Sequence, residues 1–147
     1  MATVLGSSPL AALGVQGGAE VSAAIGEFRG WRFSMQVPHR AVVTFSSPVE
    51  DFALYKVKLD DEVLLSIYAG DHPDFPQYAP RDAVEVKEIL DRRNVRSIRW
   101  VRDGLVGREV LVQLESGFPK RLHIAYPRLS REQETIAEAI LQSLRFE

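Results

Sequence analysis

The stretch that decides the fold is residues 95–126, which read VRSIRWVRDGLVGREVLVQLESGFPKRLHIAY. Apolar and polar residues alternate in three runs, and two turn-forming stretches, Asp103-Gly104 to Gly107 and Ser116-Gly117, separate them. A period of two is typical of strands that bury one face. The pattern therefore predicts a meander of three consecutive antiparallel strands. These strands cover residues 95–102, 109–115 and 120–126.

The end of the chain carries the clearest helix signal. Ser130 stands where an N-cap is expected, and Gln133 follows at capping-box spacing. From Ile136 to Leu144 the apolar residues recur at intervals of three and four, so one side of the helix is apolar. We predict a C-terminal helix that packs this side on the sheet.

Upstream of the meander, four runs also read as strands. Residues 31–37 alternate strictly, and residues 41–45 are rich in β-branched and aromatic side chains. Residues 52–59 and 62–69 flank the acidic corner Asp60-Asp61, as the strands of a hairpin do. The residues predicted to face inward in this hairpin are Ala53, Tyr55, Val57, Leu59, Val63, Leu65, Ile67 and Ala69.

A loop and an ambiguous segment separate the hairpin from the meander. Residues 71–80 (DHPDFPQYAP) contain three prolines, which exclude a helix interior or a central strand. Residues 82–93 alternate like a strand, while Asp82 and Glu85 are spaced like a helix start, so the pattern favours a strand and leaves a helix open. Strands followed by one helix predict an α+β fold, a central antiparallel β-sheet packed by a C-terminal helix, over residues 30–147.

Composition restricts the function classes. The chain has 147 residues, 46% of them apolar and 26% charged, which fits one globular domain. The absence of cysteine excludes thiol nucleophiles and Cys-ligated metals, and the sequence contains no phosphate-binding glycine loop, dinucleotide fingerprint or nucleophile elbow. The sequence therefore predicts no catalytic residue, no metal and no cofactor, and it favours a non-enzymatic role without excluding an enzyme.

Residues 1–29 form a separate region of small and apolar residues in which the first basic residue is Arg29. No apolar run reaches the length of a membrane span, so no transmembrane segment is predicted. Residues 10–15 followed by Gly17-Gly18-Ala19 resemble the end of a signal peptide, although the positive n-region is missing. Two expectations stay open: a signal-peptide remnant of a periplasmic or secreted bacterial protein that begins near Glu20, or the flexible arm of a cytoplasmic one.

The segment from Arg92 to Arg108 holds six arginines and one acidic residue, whereas the whole chain has a net charge of −2. Guanidinium groups suit phosphate and carboxylate partners. One hypothesis is therefore nucleic-acid or polyanion binding here, and the other is a solvated sheet face. By parity, Arg96 and Arg102 share one side of their strand and Arg99 lies on the other.

The proline-rich loop and the histidines supply two further hypotheses. Phe75 and Tyr78 could form a lip that binds a protein partner, or Phe75 could cover the core. His72, Asp74 and His123 could form a small-ligand enzyme site or a metal site, provided that the fold brings them to one pocket. The leading prediction is a non-enzymatic accessory domain that binds an unknown protein. Its predicted contact residues are His72, Phe75, Tyr78, Arg96, Arg99 and Arg102.

Two parts of the chain resemble Mog1/PsbP-like domains. Residues 117–126 (GFPKRLHIAY) running into residues 137–146 (AEAILQSLRF) are similar to their closing strand and helix, and residues 30–38 (GWRFSMQVP) with the next short strand are similar to their first hairpin. The resemblance implies an α/β/α sandwich with a central antiparallel sheet. It also implies a non-enzymatic accessory, chaperone-like or assembly role, commonly in exported bacterial proteins. It carries over no functional residue, and an early helix is missing unless residues 82–93 or the N-terminal arm supply one.

Overall fold

A computed structural model describes residues 18–20, 25–47 and 51–147 of the protein. These residues form strands and a single helix. In chain order the elements are β1 (Gly18–Glu20), β2 (Ile25–Gly30), β3 (Phe33–Pro38), β4 (Val42–Ser46), β5 (Phe52–Leu59), β6 (Glu62–Gly70), β7 (Val84–Leu90), β8 (Arg93–Arg102), β9 (Leu105–Gln113), β10 (Arg121–Leu129), α1 (Arg131–Gln142) and β11 (Arg145–Phe146).

The strands form two antiparallel sheets. The large sheet has eight strands in the order β1-β4-β5-β6-β10-β9-β8-β7, and the small sheet has three in the order β11-β3-β2. The predicted meander is present as β8, β9 and β10, and β10 also pairs with β6. The α+β prediction, an antiparallel sheet with one C-terminal helix, is confirmed in a form dominated by strands.

Three hairpins of the large sheet close through two-residue turns with left-handed backbone. The turn residues are Asp60-Asp61, Asp91-Arg92 and Asp103-Gly104, all with positive φ. Such turns match the right-handed twist of the flanking strands, and Asp and Gly tolerate this backbone best. The turn at Asp91-Arg92 joins β7 to β8, so the strand interpretation of residues 82–93 is confirmed and the helix alternative is wrong.

The large sheet has two differently covered faces. The helix face, which carries Tyr55, Ile67, Val110 and Ile124 in one row, lies under α1 and the small sheet. The loop face is the opposite one and carries Tyr68, His123 and Glu109. The apolar core fills the helix face, because alternate residues of each strand point to the same side.

The hairpin of β5 and β6 departs from strict alternation at one point. Its register shifts between Val57 and Lys58, so Leu64 occupies a buried position and Val63 is largely exposed. The prediction that Val63 faces inward is therefore wrong. The other inward-facing residues predicted in this hairpin are buried.

The small sheet gives the region before residue 30 a part in the fold. β2 pairs with β3, and Phe28 is buried against Phe33 and Tyr55. The folded unit therefore includes β2, which lies inside the predicted arm of residues 1–29. The proposed signal-peptide remnant at residues 10–15 lies outside the described residues.

β3 and β4 do not form the first hairpin that the resemblance implied. β3 pairs with β2 and β11 in the small sheet, whereas β4 pairs with β1 and β5 in the large one. Pro38 ends β3, and the chain turns there through a hydrogen bond from Ala41 N–H to the Pro38 carbonyl oxygen. A proline cannot donate to a ladder, which favours a change of sheet at this point.

The predicted helix is confirmed, including its capping box. Ser130 Oγ accepts the Gln133 backbone N–H at 3.1 Å, and Gln133 Oε1 accepts the Ser130 backbone N–H at 2.9 Å. Ala137, Ile140 and Leu141 are buried on the sheet. No helix in the described part of the chain has the length and apolarity to cross a membrane.

Candidate functional site

Residues 71–83, here called the proline loop, cross the loop face between β6 and β7. The carboxylate of Glu109 holds the loop, because it accepts three consecutive backbone N–H groups. The donors are Gln77 at 2.8 Å, Tyr78 at 2.7 Å and Ala79 at 2.7 Å. A single side chain of β9 thus fixes the middle of a loop about 30 residues away in sequence.

Glu109 is fully buried and also contacts the imidazole of His123, with Oε1 and Nε2 2.7 Å apart. Burial alone would raise the pKa of Glu109, but the hydrogen bonds from His123 and from the three loop amides outweigh it and lower the pKa. The carboxyl group is therefore ionised at neutral pH. Because Glu109 has no proton to give, His123 Nε2 carries the hydrogen of this bond.

Two further contacts hold the start of the proline loop. Asp71 accepts the Lys120 backbone N–H on Oδ1 at 2.7 Å, and its carbonyl oxygen accepts a guanidinium N–H of Arg121 at 2.6 Å. The hydroxyl oxygen of Tyr68 accepts the His72 backbone N–H at 3.1 Å. The first residues of the loop are thereby fixed at the end of β6 and β10.

Phe75 lies between the loop and the sheet. Its ring meets the His123 imidazole edge to face with centroids 5.6 Å apart, and the Arg96 guanidinium lies 5.0 Å from its centroid. Phe75 is half-buried and packs on the loop face, not among the apolar core residues of the helix face. Tyr78 is exposed and stands at the rim of the loop.

A cleft of about 350 Å³ opens where the proline loop meets the uncovered part of the loop face. His72 and Asp74 line its wall on the loop, and His123 lines its floor on β10. The three residues of the small-ligand hypothesis are thus brought to one cleft, as that hypothesis required. The floor also includes Lys56, Ser66 and Tyr68, which the sequence did not single out.

The same residues give no geometric support to a metal site. Within residues 18–20, 25–47 and 51–147, no three His, Cys, Asp or Glu side chains are placed to share an ion. His123 is committed to Glu109 through Nε2.

The three arginines predicted as contact residues are paired with carboxylates. Arg96 binds Glu85 through two N–H groups at 2.5 and 3.0 Å, and these bonds lower the pKa of Glu85. Arg102 lies 3.2 Å from Asp82. Arg99 lies on the opposite side of β8, 3.7 Å from Glu88 and 3.6 Å from Glu138. The predicted parity is correct, and the acidic partners reduce the charge that a polyanion would meet.

The sequence did not identify Glu109, the residue that builds the site. It lies in β9 between the buried residues Arg108 and Val110. An acidic residue next to Arg108 and between apolar runs of one strand is the signal that could have found it, because a buried carboxylate needs several donors. Which donors it finds depends on the path of the proline loop.

No protein-family model matches the chain, and no curated protein is similar enough to it to count as a match.

Proposed function

We propose that the protein is a non-enzymatic binding domain that holds a small zwitterion with an aromatic or other apolar body. The proposed site is the cleft between the proline loop and the loop face. One observation carries the proposal: His72, Asp74 and His123 line a cleft whose wall is already held in place by Glu109. A preformed cleft loses little conformational entropy when a ligand binds.

The lining of the cleft includes one basic and one acidic side chain that have no ion-pair partner among the described residues. Lys56 stands on the floor with uncharged cross-strand neighbours, Thr44 and Ser66. Asp74 stands on the loop wall. Lys56 suits a carboxylate and Asp74 suits an ammonium group. A ligand that bridges floor and wall would therefore carry both charges.

Apolar surface also lines the cleft. Leu54 and the ring of Tyr68 are neighbours on the floor, and Phe52 stacks on Tyr68 with centroids 5.5 Å apart. Tyr78 adds a second ring from the loop. These groups suit the body of an aromatic amine or acid, since small-molecule sites combine apolar walls with a few polar groups.

The surroundings of His123 favour binding over catalysis. A buried carboxylate that orients a histidine is common in enzymes, but such a histidine acts on a nearby hydroxyl or water. Here the hydroxyl of Ser66 donates to the Ala125 carbonyl oxygen at 3.3 Å. In the described part of the chain, the ring nitrogens of His123 have no hydrogen bond to a hydroxyl group, and Phe75 packs against the ring.

The test is an NMR titration of the amide spectrum with three matched probes. Phenylalanine carries both charges, phenethylamine lacks the carboxylate, and 3-phenylpropanoate lacks the ammonium group. We expect phenylalanine to shift the amide signals of residues 66–68, 72, 74, 75, 77, 78 and 123 at the lowest concentration. Absence of these shifts up to about 10 mM, a concentration that detects even weak complexes, would overturn the proposal.

Charge-removing variants locate the two ends of the ligand. Lys56→Met should weaken the binding of phenylalanine and 3-phenylpropanoate, which carry a carboxylate, and leave the binding of phenethylamine unchanged. Asp74→Asn should weaken the binding of phenylalanine and phenethylamine, which carry an ammonium group. Lys58→Met is the matched control, because Lys58 lies two residues away on the same strand and does not line the cleft. Equal effects of Lys56→Met and Lys58→Met would show that the charge acts only at long range.

The wider setting stays a proposal. The antiparallel sheet and the C-terminal helix support a Mog1/PsbP-like accessory domain with a protein partner. The implied α/β/α sandwich would need a helix on the loop face, where the proline loop lies.

Mass analysis of the mature N-terminus in envelope and cytosolic fractions would test export. Retention on a polyanion column at low salt would test the polyanion hypothesis for the Arg92–Arg108 segment.

A further inference from the structure

The outer edge of β7 is an open end of the large sheet. β7 pairs with β8 on one side, and no other described strand pairs with it. Val84 is 66% exposed and Ile89 is 71% exposed, and Val101 of the neighbouring strand is 58% exposed. Exposed apolar residues along an unpaired edge are a template for a further strand.

The charges of β7 favour β7 of a second copy of this chain as the strand that is added at this edge. An antiparallel pair related by a two-fold axis places each residue opposite one of the same parity. If the axis passes through Val86, Val86 lies opposite Val86 of the second copy. Glu85 of each copy then lies opposite Lys87 of the other, which gives two cross-strand pairs of opposite charge.

The neighbouring symmetric registers are disfavoured by the same residues. An axis through Lys87 places the two lysines opposite each other, and an axis through Glu85 does the same with the two glutamates. Like charges directly opposite destabilise a strand pair. Among these three central registers, the sequence of β7 therefore favours the one centred on Val86.

We propose that β7 pairs antiparallel with β7 of a second copy, centred on Val86, so that two large sheets join into one. On one face Val86 contacts Val86 of the second copy and Val84 lies opposite Glu88, and the opposite face gains the two Glu85–Lys87 pairs. This interaction is independent of the cleft, whose floor lies on β5, β6 and β10. Failure of one proposal leaves the other unaffected.

The first experiment is sedimentation velocity on the full chain from about 1 µM to about 500 µM, a range suited to a small interface. We expect the wild type to form a dimer reversibly. Lys87→Glu and Glu85→Lys should each weaken dimerisation about tenfold or more, because each turns attractive pairs into repulsive ones. An equimolar mixture should restore the dimer, since every pair is then of opposite charge. Lys120→Glu and Glu115→Lys are exposed controls outside β7 and should have no effect.

A cysteine series measures the register directly, and its central variant, Val86→Cys, keeps the Arg96–Glu85 bond. The chain has no cysteine, so Val86→Cys introduces a single one. Under mild oxidation we expect Val86→Cys to form a disulfide-linked dimer faster than Glu85→Cys or Lys87→Cys. Fastest linkage at position 85 or 87, no linkage at any of the three, or a wild type that stays monomeric at every concentration would each overturn the proposal.

Discussion

Two consecutive residues of β9, Arg108 and Glu109, anchor polar clusters on opposite faces of the large sheet. Arg108 is only 2% exposed on the helix face. It donates to Glu138 at 2.7 Å, to Ser97 at 3.2 Å and also to Glu88. Glu109 is buried on the loop face and accepts hydrogen bonds from the proline loop and His123. The two clusters have opposite central charges and different kinds of partner.

This difference in partners makes the Arg108 cluster a structural one, whereas the Glu109 cluster builds the candidate site. The partners of Arg108 are side chains of β7, β8 and α1, so this cluster joins regular elements to one another. The partners of Glu109 are mainly loop amides, so this cluster shapes the cleft beside the loop. Tyr126 extends the first cluster, because its hydroxyl donates to Glu138 at 2.6 Å and its own pKa is raised by burial and by that bond.

The largest expected effect comes from the Arg108 cluster. Arg108→Ala leaves Glu88 and Glu138 without their main partner in a mostly buried setting, and such a loss costs about 3–5 kcal/mol of unfolding free energy. Urea denaturation measures it. Arg102→Ala is the control, because its pair with Asp82 is exposed and contributes about 1 kcal/mol or less. Equal losses for the two variants would contradict the structural role of Arg108.

A smaller and more local effect is expected at Glu109. Glu109→Ala removes the acceptor of three loop amides, which costs about 1–3 kcal/mol after the loop has exchanged these bonds for water. Hydrogen exchange at Gln77, Tyr78 and Ala79 should accelerate, and the phenylalanine-induced shifts should disappear. The same amides in Arg108→Ala, measured where it is folded, serve as the comparison. Unchanged exchange in Glu109→Ala would show that other contacts hold the loop.

Acidification should affect both clusters through their carboxylates. Burial raises the pKa of Glu138, but Tyr126, Arg108 and Arg99 together outweigh it, so its pKa is lowered like that of Glu109. A carboxyl whose pKa is lowered by folding stabilises the protein above its ordinary pKa of 4.5, and this contribution is lost as the pH falls through the lower folded value. The urea concentration at the unfolding midpoint should therefore decrease as the pH is lowered from about 6 to about 3.

Glutamine variants show how much of this loss of stability on acidification comes from Glu109 and how much from Glu138. Glu109→Gln and Glu138→Gln should each flatten the decrease below pH 4.5, because glutamine does not titrate. Acidification should release the loop amides and accelerate their hydrogen exchange in Glu138→Gln but not in Glu109→Gln, since only Glu109 contacts them. A slope that neither substitution changes would place the acid sensitivity elsewhere.

Most elements could be predicted from the sequence because their signals are local. Alternation identified β8, β9 and β10, the Asp103-Gly104 turn identified their first connection, and Ser130 with Gln133 identified the start of α1. Parity separated Arg99 from Arg96 and Arg102.

Other features could not be predicted because they depend on contacts between distant segments. The inward position assigned to Val63 failed at a register shift that depends on how β5 and β6 pair. Nothing in the sequence near β3 and β4 shows that they enter different sheets. The sequence named His72, Asp74 and His123 as a conditional set, and only the path of the proline loop over Glu109 shows that they line one cleft.

By itself, the sequence determined the strands of the meander, the C-terminal helix, turn positions and, outside the register shift between Val57 and Lys58, the side of the strand on which residues lie. These depend on backbone preferences and on a hydrophobic period that spans a few residues. The tertiary structure alone decided the strand order, the partners of Arg108 and Glu109, and the cleft. A buried charge must be satisfied by whichever donors and acceptors the fold brings within 3 Å or so, and those come from segments far apart in the chain.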